Sequence, residues 1–419
     1  MNNVPYRLRT LESAQDFSAL KDFYDTVFTD EPVGQLASVL GQYFPDCENR
    51  YWFIVEHEPS QTIAAALVLI PRIWQWQGLE LKVAEQGIVA TSPSHRGQNL
   101  QGLLNQAFDQ AVQDGHFDLA IIQGIPGYYQ RYGYHYALPL ENHVNVHWHV
   151  IDQLPPGHTD PLTFRTATTD DIPFLIQQDD HLERVYDVCT KRNEDHWHYL
   201  LKHSQHTDTV SKFWIGERQN SPVAYLRLPF NGFGEGQILS EVSHQLCIED
   251  QVDLLKFAQS RGQLRSLPYL RLDLSHHCPL VKLVAGHGVN LGNSYGWQMK
   301  IPNMANWITK LTPILEKRLA DGGINFTGLF RINCYGPSVD LHWHQGKLTK
   351  ISQGDLSSIE NADYGVDVPR DQLTPLLCGG YDWRTLRTTR PDLYPINGTS
   401  EVLLDALFPP LKGWHYSPY

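Results

Sequence analysis

The chain has 419 residues, 42% hydrophobic, 11% aromatic and 19% charged, which excludes an intrinsically disordered protein and sets a length prior of about three domains. Its net charge of −13 leaves no overall basic field for nucleic acid or an anionic membrane surface. The longest apolar run, residues 63–70, is far shorter than the ~20 residues that span a bilayer, and the amino-terminal stretch has neither the apolar core nor the cleavage site of a secretory signal.

In chain order, residues 16–28 carry Phe17, Leu20, Phe23, Tyr24 and Val27 at helical spacing. Residues 51–56 and 63–70 read as strands joined by a polar turn around Pro59 and Ser60. Residues 74–81 alternate through Gly78 as a hairpin that leads into a strand over 83–91, which Pro93 ends. Leu100, Leu103, Leu104, Ala107, Phe108, Ala111 and Val112 then form one helical stripe, with Gly115 expected as its left-handed cap. Residues 118–122 predict a short strand. Pro126 is expected to open a short helix that Gly133 closes, and the strand resumes over 134–137.

Pro155-Pro156-Gly157 marks a boundary. Beyond it, residues 162–165 predict a strand and a helix begins near Asp170. Residues 116–138 and 268–291 share one layout of strand, loop, short helix, glycine and strand, with Gly133 and Gly288 in register 155 residues apart. A strand over 238–242 and a helix over 251–259 match the long strand and helix upstream in the first unit. This is a degenerate internal repeat. From Pro302 the texture changes to a helix over 304–319, strands over 326–334 and 339–344, a Gln345-Gly346 turn and a returning strand over 347–351. Pro369 opens a helix with Leu373, Leu376 and Leu377, and Ser400 is expected to cap the last helix. The division is 1–155, 156–302 and 303–419, in an α/β (α+β) chain.

The segment VAEQGIVATSPSHRGQNLQGLLNQAF, residues 83–108, runs from a strand through a turn directly into the strongest helix. Such a turn aims backbone N–H groups and the positive end of the helix dipole at one place. No acidic residue lies between Glu85 and Asp109, as an anion site requires, and Arg96 adds positive charge.

SHRGQNLQGLL resembles the pyrophosphate loop of the GNAT acyl-CoA N-acyltransferases: Arg or Gln, two residues, Gly, one residue, then Gly or Ala. Arg96 fits the first place, Asn99 stands for the first glycine and Gln101 for the Gly or Ala. Asn tolerates positive φ better than other residues with side chains, whereas Gln101 is expected to crowd the phosphates. The resemblance implies acetyl-CoA as acyl donor, held by Ile88, Val89 and Ala90 on the strand and by His95, Arg96, Gly97, Gln98, Asn99 and Leu100 in the loop. Gly87 is expected to form the bulge that splays this strand from its neighbour. GYYQRYGYHYA resembles the closing motif of these enzymes and places Tyr129 at the thioester as general acid.

Over the whole chain the layout resembles the Eis-like acetyltransferases, with two tandem GNAT-type mixed sheets flanked by helices and a sterol-carrier-protein-like α+β domain. The resemblance implies a terminal carboxylate, here that of Tyr419, as catalytic base, with Glu85 in reserve. It also implies a small-molecule or peptide amine acceptor and a homo-oligomer, a hexamer in characterised members. The alternative reading is a non-catalytic acyl-CoA or lipid-binding scaffold. An aminoacyl-tRNA donor is disfavoured by the acidic balance. In the second unit the helix near Ile248 opens with Glu249 and Asp250, which repel phosphate, so that unit is expected to be structural.

Other clusters carry less. His143, His147 and His149 alternate on one predicted strand, and His342 and His344 on another, but no Cys or carboxylate completes a metal set. Gly286, Gly288 and Gly292 follow a helix, not a strand, so the dinucleotide mechanism does not apply. Six cysteines with no CxxC pair predict reduced thiols in a cytoplasmic protein.

Overall fold

A computed structural model describes residues 5–207, 209–232, 234–287, 289–292, 295–354, 362–417 and 419. The first half supplies strands β1 Tyr6–Thr10, β2 Trp52–His57, β3 Thr62–Trp76, β4 Leu79–Thr91, β5 Leu119–Ile122, β6 His135–Glu141 and β7 Val144–His147. The second supplies β8 Thr163–Thr166, β9 Val188–Lys191, β10 Ser211–Arg218, β11 Ser221–Pro229, β12 Gln237–Leu239, β13 Glu241–Val242, β14 Tyr269–Leu272, β15 Asn290–Leu291 and β16 Tyr295–Lys300.

The main sheet runs β1-β2-β3-β4-β5-β16-β6. Strand β16, from the second half, lies between β5 and β6 and is antiparallel to both. In return β7, from the first half, lies between β14 and β15. Each half thus lends one strand to the other, and the division at residue 155 is crossed twice in space. An edge that would otherwise present unpaired N–H and C=O groups is filled on both sides.

Both faces of the main sheet are covered, which is why its strands read as near-continuous apolar runs. Trp52 and Ile54 face helices α1 Ala14–Val27 and α2 Val33–Tyr43, packing with Leu20, Tyr24, Leu36 and Leu40. Phe53 and Val55, one residue out of phase, face α3 Leu100–Asp114 through Leu104, Phe108 and Val112. Ser13 and Asp16 form a capping box at the start of α1.

The last domain is a five-stranded sheet, from β17 Gly328–Asn333, β18 Ser338–His344, β19 Lys347–Gly354, β20 Tyr364–Asp367 and β21 Tyr394–Pro395, in the order β19-β18-β17-β20-β21. It packs with the helices Met304–Asp321, Arg370–Leu377, Trp383–Thr389 and Gly398–Leu407. Its core is continuous with Trp74 and Trp76 of β3, and Trp76 meets Trp307 edge-on at 5.1 Å. Strand β22 Gly413–Trp414 pairs with β9, which pairs in turn with the far end of β3. That pairing carries the aromatic tail back between the two halves.

Several local expectations change. Gly115 has φ −79, and His116 takes the left-handed conformation at φ 53. Gly115 instead makes room for the Phe117 ring, which a Cβ would meet. Pro126 opens no helix: the Tyr128 N–H bonds to the Ile125 carbonyl, with Pro126 and Gly127 (φ 74) as the central pair of a type II turn. The short 3₁₀ helix begins only at Tyr129, and Gly133 does close it at φ 86.

Asn397, not Ser400, caps the last helix by accepting from the Ser400 N–H. The Ser400 hydroxyl is occupied by the Gly365 N–H and by Asn397. The strand expected over 238–242 breaks at Ser240 into β12 and β13, which pair with different partners. His149 lies in the short helix Trp148–Asp152, so the three histidines do not share a strand. Gly288 lies outside the described residues.

Among the described residues no helix is long and apolar enough to cross a membrane, and no group of three or more His, Cys, Asp or Glu could hold a metal ion. All six cysteines are free, five buried and Cys247 exposed.

Candidate active site

Strand β4 is bonded in parallel to β5 only through Val83, Ala84 and Glu85. Beyond Glu85 the two strands part. On its other side β4 skips a register step against β3, with Val68 opposite Gly87 and Ala66 opposite Ala90. Ile88 and Val89 fall in the step and have no ladder partner. The positive φ of this bulge, 45, belongs to Ile88 and not to Gly87. A β-branched residue is strained there. Gly87 stays on the ladder, where a Cβ would stand 2.6 Å from Ile70 Cδ1.

The chain leaves β4 through Ser92, a short 3₁₀ turn over Pro93–His95, and Gly97 at φ 80, to Asn99 at φ 56 and ψ 28. Asn99 thus takes the left-handed conformation expected of it at the N-cap position of α3, where its side chain makes no capping hydrogen bond. Arg96 is exposed and has no partner among the described residues. The Gln101 side chain is turned back onto the end of β4, its amide donating to the Thr91 hydroxyl at 2.8 Å and to the Ala90 carbonyl at 3.2 Å. The amide group thus points to the strand end.

At the parting of β4 and β5 sits Glu85, 2% exposed. Its carboxylate is paired with Arg72 of β3 and accepts hydrogen bonds from the Tyr419 hydroxyl at 2.8 Å and from Gln123 Nε2 at 3.5 Å. Burial pushes the Glu85 carboxyl above its usual range, against the pull of Arg72. The Arg72 guanidinium lies between the rings of Trp297 and Tyr419, 5.2 Å from each. Tyr129 is buried one residue past the turn that follows β5, and its ring covers Gly124, where a Cβ would overlap it. Burial raises the Tyr129 phenol, and neighbouring Tyr128 and Tyr132 add to the effect. The consecutive residues Gln123 and Gly124 therefore connect Glu85 to Tyr129. Tyr295 and Gln298 of the exchanged strand β16 both donate to the Gly124 carbonyl, the latter at 2.7 Å.

The tail joins this site to its counterpart in the second half. Arg227 of β11, 155 residues after Arg72, pairs with Glu241 at 2.8 Å and donates to the Tyr419 main-chain oxygen at 3.2 Å. Glu241 is also held by Arg192 at 3.0 Å, so it has two guanidinium partners where Glu85 has one. In the second half the helix Ile248–Leu264 opens with Glu249 and Asp250 in its first turn, and Asp250 is paired with Arg218.

Glu85, Tyr129 and Tyr419, the residues the sequence points to, lie around the end of β5. Arg72, Gln123, Tyr295, Gln298 and Arg227 join them unannounced. Arg72 left a signal, as the one charged residue in a largely apolar fifteen-residue strand. Tyr295 and Gln298 left none, because only the strand exchange delivers them.

Residues 7–137 match the family model described as an acetyltransferase (GNAT) domain. That stretch, under a third of the chain, is similar to a GNAT domain. No curated protein matches the chain. Solved structures share the fold over nearly the full length. A GCN5-related N-acetyltransferase from Anabaena variabilis is 15% identical, with 98% of this chain and 99% of that one covered and a TM-score of 0.68. Another from Kribbella flavida is 13% identical, with 99% of both chains covered and a TM-score of 0.66. Eis1 from Mycobacterium abscessus is 12% identical, with 99% and 100% covered and a TM-score of 0.64. At these identities the likeness is one of fold.

Proposed function

We propose that this chain is an N-acetyltransferase that moves an acetyl group from acetyl-CoA to a primary amine by direct attack. The observation that carries the reading is the opening of β4 away from β5 at Glu85. The opening leads through an acid-free, arginine-bearing turn to the N-terminus of α3. In this reading Ile88, Val89 and Ala90 line the pantetheine arm. The N–H groups over residues 97–100 and the Arg96 guanidinium hold the diphosphate. The Val89 N–H, off the ladder in the bulge, stabilises the oxygen charge that grows as nitrogen attacks carbon.

As the carbon–sulfur bond breaks, the Tyr129 hydroxyl gives its proton to the departing thiolate. Ordinary phenol and thiol values are about 10 and about 8.5, and burial holds the Tyr129 phenol above its ordinary value, so the transfer runs against the difference between the two groups. The attacking nitrogen loses its proton, through water, to the Tyr419 carboxylate where Tyr419 ends the chain, with Arg227 fixing that carboxylate. A second reading gives this role to Glu85, and the raised value of its buried carboxyl favours it. We also assign the last domain to the sterol-carrier-protein-like class, and expect the chain to assemble as a closed homo-oligomer.

Calorimetric titration with acetyl-CoA tests the reading. Saturable binding that Arg96→Ala weakens is expected, and no binding at millimolar ligand would overturn it.

A further inference from the structure

Beside the turn that precedes α3, on the face of the sheet that α3 covers, three rings meet, of which only His95 belongs to the loop motif. Tyr6 and His57 are paired across β1 and β2, and His95 closes over them from the turn. The ring centroids stand 5.4 Å apart for Tyr6 and His57, 5.7 Å for Tyr6 and His95, and 4.8 Å for the two imidazoles. Each imidazole is held through one nitrogen. The Tyr6 hydroxyl lies 3.1 Å from His95 Nδ1, and the Ser60 hydroxyl lies 2.7 Å from His57 Nδ1, itself 2.7 Å from the Thr62 hydroxyl.

A hydroxyl that donates to Nδ1 leaves the ring proton on Nε2. Neither Nε2 atom has a partner among the described residues, and neither is sealed from solvent. No carboxylate pairs with either ring among the described residues. Glu56, next to His57, is turned to the opposite face and taken by Arg9 at 2.7 Å. In that tautomer the two rings present neighbouring N–H donors, with His95 next in sequence to Arg96, and suit a phosphate monoester.

We infer that His57 and His95 bind a terminal phosphate monoester on the nucleotide end of the acyl donor, the 3′-phosphate of acetyl-CoA. Tyr6 and Ser60 are positioning residues that fix the two imidazole tautomers. The inference rests on the acyl-CoA reading above and adds what that reading leaves open, namely how the site distinguishes the phosphorylated donor from one lacking this group. The diphosphate stays with Arg96 and the turn, and the monoester, one sugar away, falls to the histidine pair.

The test compares acetyl-CoA with its 3′-dephospho form by calorimetry, in wild type, His57→Ala and Tyr6→Phe. Wild type is expected to favour acetyl-CoA by tenfold or more, since hydrogen bonds to a charged group each change affinity by about tenfold. In His57→Ala the ratio between the two ligands should fall about tenfold while the dephospho form binds as in wild type. Tyr6→Phe keeps the ring and should lower the ratio by a smaller factor. Equal affinity of wild type for the two forms would overturn the inference and leave the acyl-CoA reading standing. An unchanged ratio in His57→Ala would likewise overturn it. Binding of neither form would overturn the acyl-CoA reading and this inference with it.

Discussion

The Tyr419 hydroxyl donates to Glu85 across 334 residues of chain, at 2.8 Å. The main-chain oxygen of the same residue accepts from Arg227 of the other half. One residue thus bridges the two counterpart Arg–Glu pairs, and its two ends make different claims on the proton chemistry. Where Tyr419 ends the chain, extending it replaces a carboxylate by an amide. If that carboxylate is the base, kcat should fall by about 10²–10⁴-fold with acetyl-CoA affinity kept, and Glu85→Gln should do less. The reverse pattern moves the role to Glu85.

Tyr419→Phe separates the two bases by pH. The Tyr419 hydroxyl bonds the ionised form of Glu85 and so holds its carboxyl down against burial. Without the hydroxyl the Glu85 value rises further. If Glu85 is the base, the acid limb of kcat/KM moves to higher pH in this variant. If the Tyr419 carboxylate is the base, the limb stays in place.

Arg96→Ala is expected to weaken acetyl-CoA binding more than Arg131→Ala. Arg96 is free at the mouth of α3, whereas Arg131 is stacked on Tyr128 with its guanidinium 4.6 Å from the ring centroid. A charge-assisted phosphate contact is worth roughly 1.5–3 kcal/mol. Equal affinity for Arg96→Ala and wild type, measured by calorimetry, would remove the turn from the cofactor site.

Acid should destabilise the fold through buried histidines. Burial lowers His196 and His244 each to about 4. Their folded values lie below the unfolded one, so the stabilisation is complete above about pH 6.5 and is lost as pH falls toward the folded values. By pH 5 each costs about 2 kcal/mol, because the unfolded chain binds a proton that the folded chain refuses. Denaturant midpoints between pH 7 and 5 should fall accordingly, and His244→Gln should flatten the slope. A midpoint independent of pH over that window would contradict this.

The strand exchange makes the halves interdependent. Residues 1–155 alone lack β16 and leave the edges of β5 and β6 unpaired. That fragment is expected to aggregate or to give a broad, uncooperative melt. A sharply melting monomeric fragment would show that β16 is dispensable.

What the sequence revealed follows the range of the forces involved. The stripe on α3 and the Asn99 turn depend on neighbours a few residues away, and both were legible. The 155-residue repeat was legible too, yet its consequence was not. A periodic pattern says that two units share a layout but not that each lends the other a strand. Pro126 misled because proline suits both a first helical turn and the second place of a β-turn, and Gly127 decided between them. The tail was recognisable by its aromatics. That the Tyr419 hydroxyl reaches Glu85 depends on the pairing of β22 with β9, which no local signal announces.

The account stands most directly on one assay: thiol release from acetyl-CoA across a panel of primary amines, with wild type and Tyr129→Phe side by side. It predicts release that depends on the amine, and a Tyr129→Phe rate lower by about 10²–10⁴-fold at unchanged acetyl-CoA affinity. Acetyl-CoA bound tightly with no amine-dependent release would contradict it and leave a carrier in place of an enzyme.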